Sequence, residues 1–193
     1  MTKQRTVVGE PRVGPFAHRD DAPRAVVKLL PSGPQQGVGR STAEELSDRD
    51  LGKGLLQVEV VALDWKWLFI YPEQGIATIN ELVIPVDRQV RFDITSTNMM
   101  NTFYAPTLAG MIYAMPGMKS QLHAVLNRPG EYEGFSANYS GAGFSDMRFK
   151  LRGVDDAGFA RWVGQVKASP LRLGTPAYMN LVRPSEKHPI QHF

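Results

Sequence analysis

From Leu55 onward the chain alternates between short runs dense in β-branched and aromatic residues and brief interruptions of Gly, Pro, Asn and charge. The densest run is LLQVEVVALDWKWLFIY. In its second half Trp65, Trp67, Phe69 and Tyr71 recur at every second position, which places them on one face of a strand and Lys66 on the other. PEQG then turns the chain. ATINELVIPV and QVRFDITST read as further strands, separated by a turn at Pro85–Arg88, and MIYAM, SQLHAVL, YEGFSA and MRFKLRG follow. Short strands at this spacing predict an antiparallel sandwich or barrel.

The period changes after Gly153. In VDDAGFARWVGQVKAS, Phe159, Trp162, Val163 and Val166 form an i, i+3, i+4, i+7 stripe, the mark of a helix with one buried face. Asp155 or Asp156 caps it and Pro170 ends it. The proline-interrupted tail, PAYMNLVRPSEKHPIQHF, reads as an extended arm. The opposite end has little to bury: PSGPQQGVGRSTAEELSDRDLGKG is rich in Gly, Pro, Ser and charge. A short helix at Thr42–Leu46 is expected there, with Ser41 as cap and Glu44 three residues on. The organisation expected is a poorly structured lead over 1–54, a β domain over 55–153, and a helix plus arm over 154–193.

Composition narrows the chemistry. Net charge is +3, with 22 basic and 19 acidic residues interspersed and no Lys/Arg block, so nucleic acid is not an expected partner. The chain has no cysteine, which excludes disulfides, iron–sulfur ligation and any thiolate copper centre within it. No run of about 18 apolar residues occurs, so no membrane-spanning helix is expected. The first residues carry basic charge without a following apolar stretch, unlike a secretory signal.

One loop carries the spacing of a metal cradle. In GFSANYSGAGFSDM, Ser136 and Ser140 are four apart with Asn138 between them, Phe144 follows four later and Met147 three beyond. Ligands at such intervals in a turn between strands converge on one point, but hydroxyls, an amide and a phenyl ring are poor ligands for the metals this spacing suits. The histidines form no cluster: His123 stands alone in an alternating strand and reads as a hydrogen-bonded structural residue, while His188 and His192 flank Pro189 and read as solvated or as arm contacts. Met111, Met115 and Met118 in MIYAMPGM read as packing residues rather than a Cu(I) site. Asn138-Tyr139-Ser140 fits the glycosylation pattern by chance, and GAGFSD lacks the last glycine of a dinucleotide fingerprint.

These residues carry a resemblance. DWKWLFIYPEQGIATINELVIP, MNTF, IYAMPGM and QLHAVLNRPGEYEGFSANYSGAGFSDMRF resemble subunit II of the haem–copper ubiquinol oxidases of the cytochrome bo type, over Val58 to Trp162 and again in the tail. The resemblance implies a cupredoxin-like Greek-key β-sandwich on the periplasmic face of the bacterial inner membrane. It implies docking on oxidase subunit I, which holds the haem and copper and reduces oxygen with electrons from ubiquinol, and contact with the membrane through partners. In the cytochrome c-oxidising relatives the domain holds dinuclear copper. The ligand positions fall here on Asn101, Ser136, Asn138, Ser140, Phe144 and Met147, of which only Met147 keeps a ligand atom. No catalytic residue, cofactor or metal is therefore expected in this chain, and Phe144 is expected as an apolar plug in the volume of the metal. Trp65, Trp67, Phe69 and Tyr71 are the candidate subunit contact. The first fifty-odd residues resemble nothing in the family and the family's export signal and membrane helices are not seen, so the alternative expectation is a truncated or free soluble relic without oxidase function.

Overall fold

The structure, a computed structural model, describes residues 54–193, so the expected Thr42–Leu46 helix lies outside the described residues. Strands β1 (Leu56–Leu63), β2 (Lys66–Tyr71), β3 (Ile76–Ile79), β4 (Glu81–Pro85), β5 (Gln89–Ser96), β6 (Asn101–Ala105), β7 (Ala109–Ala114), β8 (Ser120–Val125), β9 (Gly130–Ser136) and β10 (Arg148–Val154) precede helices α1 (Asp156–Lys167) and α2 (Thr175–Val182) and a last strand, β11 (Gln191–His192). They form a six-stranded sheet, β11-β3-β2-β1-β5-β8, packed on a five-stranded sheet, β4-β10-β9-β6-β7. Most pairs are antiparallel as expected, but β1 with β5 and β4 with β10 are parallel. The sandwich is therefore mixed, and it is cupredoxin-like.

Two runs that read as continuous are broken at single residues with positive φ. LLQVEVVALDWKWLFIY folds into a hairpin, with Trp65 (φ 65°) in the turn between β1 and β2. ATINELVIPV bends at Asn80 (φ 56°), sending β3 into one sheet and β4 into the other. Asn tolerates this region better than most residues. The bend is fixed from both sides: Asn80 Oδ1 accepts from the Trp67 amide at 2.9 Å, and the Asn80 amide donates to the Trp67 carbonyl at 2.9 Å.

The core between the sheets is aromatic. Trp67, Phe69, Tyr71, Phe92, Phe103 and Phe149 are buried, and Phe103 stacks on Phe149 with ring centroids 5.2 Å apart and planes 7° apart. Gly134, opposite Phe149 in the β9–β10 register, makes room for that ring: a Cβ on Gly134 would lie 2.0 Å from Phe149 Cζ. Trp67, Phe69 and Tyr71 are thus committed to the core and are not available to a partner subunit; of the four aromatics expected at such a contact, only Trp65 is partly exposed. Lys66, on the opposite face, is buried as well.

Helix α1 begins where expected, with the Asp155 carboxylate accepting from the Gly158 amide at 2.7 Å, and it buries Phe159, Trp162 and Val166. The tail departs from an extended arm, because Thr175–Val182 is helical with Pro176 in its first turn. Pro is favourable there, where no intrahelical N–H bond is lost. Leu181 and Phe193 cover Leu63, Leu68, Ala77 and Ile79 on the outer face of the six-stranded sheet. Among the described residues no helix is long and apolar enough to cross a membrane.

Candidate functional site

The loop between β9 and β10 brings most of the expected cradle positions together. Ser136 ends β9 and Asn101 begins β6; both are buried, and the Ser136 hydroxyl donates to Asn101 Oδ1 at 3.1 Å. Asn101 Nδ2 donates to the Met99 carbonyl at 3.1 Å, and Asn138 Nδ2 donates to the Met100 carbonyl at 3.2 Å. Met147 is 1% exposed, and its carbonyl accepts from the Trp67 indole at 3.4 Å and from the Ser136 amide at 3.1 Å. Ser140 is buried with no protein partner for its hydroxyl. Its carbonyl accepts from the Trp65 indole at 3.0 Å.

Phe144 does not fill the place expected of it. It sits half-buried in a short 3-10 turn, Phe144–Asp146, and its ring packs edge to face on exposed Tyr139 with centroids 5.6 Å apart. Trp65 lies over the loop glycines, its ring atoms 2.6 Å from where a Cβ on Gly143 would stand and 3.1 Å from one on Gly141.

The donor set does not fit dinuclear copper. Such a centre needs deprotonated soft sulfur to bridge its metals and imidazole to complete them. Ser136 and Ser140 offer hard hydroxyls that keep their protons, Asn101 offers an amide already hydrogen-bonded to Ser136, and Phe144 has no lone pair. Met147 supplies a lone thioether. Among the described residues no group of three His, Cys, Asp or Glu is placed to hold a metal ion.

Charged groups that the sequence reading passed over are placed with more care than the cradle. Glu81 is buried, and its carboxylate takes the Trp162 indole N–H at 3.2 Å, Arg152 Nη1 at 3.3 Å and His192 Nε2 at 2.7 Å. Asp93 is buried and accepts from Gln57 at 2.8 Å and Gln121 at 3.1 Å, with Lys119 Nζ 3.3 Å away. Lys66 donates to the Arg183 carbonyl at 2.8 Å and to the Ser185 hydroxyl. Burial holds its ammonium below the ordinary lysine value, against the pull of Asp64. His123 is less satisfied than expected: its Nδ1 has no protein partner, and burial, then Arg91, lowers its pKa. A carboxylate inside an apolar run, as at Glu81 in NELVIP, is the one sequence signal that marks this group.

The methionines also depart from expectation. Met111 and Met118 lie on the surface at 66% and 56% exposure, with Met99, Met100 and Tyr113 exposed as well. Hydrogen bonds tie part of this surface to the cradle, with Asn101 reaching the Met99 carbonyl and Asn138 the Met100 carbonyl.

Comparison with known proteins follows the same lines. Residues 73–154 match the family model of the periplasmic domain of cytochrome c oxidase subunit II, and residues 167–193 match the aromatic-rich motif of that group. Ubiquinol oxidase subunit 2 of Acetobacter aceti is 56% identical over 138 residues, covering 72% of this chain and 45% of that protein. Cytochrome bo(3) ubiquinol oxidase subunit 2 of Pseudomonas putida is 53% identical over 135 residues, covering 70% and 43%. The Pseudomonas aeruginosa protein of the same name is 45% identical over 185 residues, covering 93% and 56%. That last match extends into residues 1–54, so the lead is not foreign to the family as the sequence alone implied. The chain spans about half the length of these relatives. The crystal structure of the periplasmic domain of cytochrome oxidase subunit II from Bradyrhizobium japonicum shares the fold, with TM-score 0.56 and 24% identity over 58% of this chain and 93% of that one.

Proposed function

Because the chain belongs to the subunit II family of the ubiquinol oxidases, we propose that it is a copper-free docking subunit of a quinol-oxidising, oxygen-reducing complex. In this reading it sits on the outer face of the inner membrane against subunit I. Haem and copper reside in subunit I, electrons arrive there from membrane quinol, and none pass through this domain. One observation carries the copper-free part: the positions that would hold the metal are instead tied to each other and to β6 by neutral hydrogen bonds, Ser136 to Asn101 above all.

The docking surface in this reading is the exposed methionine and tyrosine face formed by Met99, Met100, Met111, Tyr113 and Met118. Flexible thioethers suit a contact that must conform to a partner, and a cluster of exposed apolar side chains is uncommon on a free domain. It replaces the run from Trp65 to Tyr71, of which Trp67, Phe69 and Tyr71 are buried in the core. Tagged chain, carried through detergent-solubilised membranes of the source cell, is expected to recover a haem-bearing subunit. Met111→Glu with Met118→Glu is expected to abolish recovery without lowering the melting temperature. Failure of the unaltered chain to recover a haem protein overturns the reading. Stoichiometric copper binding followed by absorption overturns its copper-free part.

A further inference from the structure

Trp65 and Lys66 are consecutive, yet they hold different parts of the molecule. At Trp65 the backbone has positive φ and the ring lies at the edge of the core over the cradle loop, where its indole donates to the Ser140 carbonyl at 3.0 Å and its face covers Gly141 and Gly143. Lys66 points to the opposite side of β2 and takes the Arg183 carbonyl and the Ser185 hydroxyl of the C-terminal arm. The arm then returns to the loop. Glu186 Cγ lies 2.9 Å from where a Cβ on Gly143 would stand, and Lys187 Nζ is 4.0 Å from Asp146 Oδ2. Further on, Asn80 Nδ2 donates to the His188 carbonyl at 2.8 Å, and β11 pairs with β3.

We propose that the C-terminal arm is a clasp that fixes the cradle loop in place of a metal centre, with Ser185–Lys187 closing over Gly143–Asp146 and Lys66 holding the clasp shut. The proposal rests on the reading of that loop as a cradle without ligands. A metal centre would tie Ser136, Ser140, Phe144 and Met147 to one point, and without it the segment between Ala137 and Asp146 has few internal bonds. Its ends are tied by the Ala137 amide to the Thr102 carbonyl at 3.1 Å, by the Ser136 hydroxyl to the Asn138 carbonyl at 3.3 Å, by Asn138 to Met100 and by Arg148 to the Ser145 carbonyl at 3.4 Å. Its middle has the local bonds of the 3-10 turn, Phe144 amide to Gly141 carbonyl at 3.2 Å, Asp146 amide to Gly143 carbonyl at 3.2 Å and Met147 amide to Phe144 carbonyl at 3.1 Å. Glycine at 141 (φ 113°) and 143 adds backbone freedom that something must remove. Trp65 on one side and the arm on the other supply that restraint. This gives the residues of the aromatic-rich motif a role in the loop as well as on the sheet face they cover.

Amide hydrogen exchange on the full chain tests it. In Lys66→Met, which keeps an apolar stem and removes both arm bonds, and separately in the surface pair Glu186→Ala with Lys187→Ala, amides over 139–147 are expected to exchange on the order of tenfold faster, as when one or two hydrogen bonds leave a local opening equilibrium. Protection in β1 and β5 is expected to stay unchanged. Unaltered loop exchange in both variants overturns the clasp. If Lys66→Met loses protection throughout, the surface pair alone decides, since both of its side chains are exposed. The same experiment on the unaltered chain with added copper separates the two readings. Copper that slows loop exchange at one or two equivalents overturns the ligand-free cradle, whatever the variants do.

Discussion

Replacing Glu81 with Ala removes an acceptor on which a helix, a strand and the arm converge. Trp162 is 4% exposed, so its indole N–H, 3.2 Å from Glu81 Oε2, finds no water once the carboxylate is gone. An unsatisfied buried donor costs about 1–3 kcal/mol. Arg152 and His192 are each about one-third exposed, so solvent replaces much of what the carboxylate gives them, and their joint share is about 1–2 kcal/mol. The side chain of Glu81 also leaves a small void. The expected loss is therefore about 3–4 kcal/mol, close to that of breaking a buried ion pair by deleting one partner. Urea unfolding at neutral pH, followed by tryptophan fluorescence, measures it as a lower midpoint at constant m-value. Glu81→Gln keeps an acceptor for Trp162 and is expected to cost about half as much. A double-mutant cycle with His192→Ala is expected to return a coupling of about 1 kcal/mol. A loss below about 1 kcal/mol for Glu81→Ala would show that the three contacts do not hold together in solution, and the account of how the arm is anchored would fail.

Gly134→Ala places a methyl 2.0 Å from Phe149 Cζ, in a ring stack that cannot move without disturbing Phe103, and is expected to destabilise by about 1–3 kcal/mol; calorimetry checks it. Ser140→Ala removes a buried hydroxyl without a protein partner and is expected to leave the melting temperature unchanged or raise it, the opposite of Ser136→Ala, which strands Asn101 at a cost of about 1 kcal/mol. Burial raises the pKa of Tyr71 far above the ordinary tyrosine value, so the folded state keeps its proton where the unfolded chain gives it up. That stability is fully present below about pH 10 and is lost as pH rises further; Tyr71→Phe is expected to be less stable at neutral pH but to lose less above pH 10. For His123 the sign reverses: its lowered pKa keeps it neutral in the fold, so stability is present above about pH 6.5 and falls on acidification, a decline that His123→Leu is expected to flatten in denaturant titrations.

Much of this fold was legible because its signals are local. The alternation in MRFKLRG and the stripe of α1 with its Asp155 cap each lie within a dozen residues, and the structure keeps both. The misreadings share a cause, which is that the deciding partner is distant in sequence. Nothing near Trp65 announces a turn, since Asp-Trp is not a common turn pair; the bend is held by the Trp65 ring on a loop some 75 residues away. Alternation puts Lys66 on the face opposite the aromatics but does not show its burial, because the arm that takes its ammonium arrives more than a hundred residues later. The prolines of the tail suggest an extended arm, yet Pro176 begins a helix whose reason to form is Leu181 against Leu63 and Leu68. The loop positions of the cradle stand out by their spacing and Asn101 only through resemblance, and most of them converge. The partners that two of them take, the Met99 and Met100 carbonyls, carry no motif, because a backbone acceptor leaves no mark on the residue type.

The pairing of β11 with β3 has a consequence for the chain before it is finished. Ile76–Ile79 is short and buried, apolar but for Thr78, and without β11 it forms the outermost strand of its sheet. A bare edge of that kind invites the same edge of another molecule. Until Gln191 and His192 dock, every copy of the protein therefore carries a template for self-association. Between the making of Ile79 and the docking of His192 the chain carries this bare edge, and a nick in the arm that frees β11 restores it.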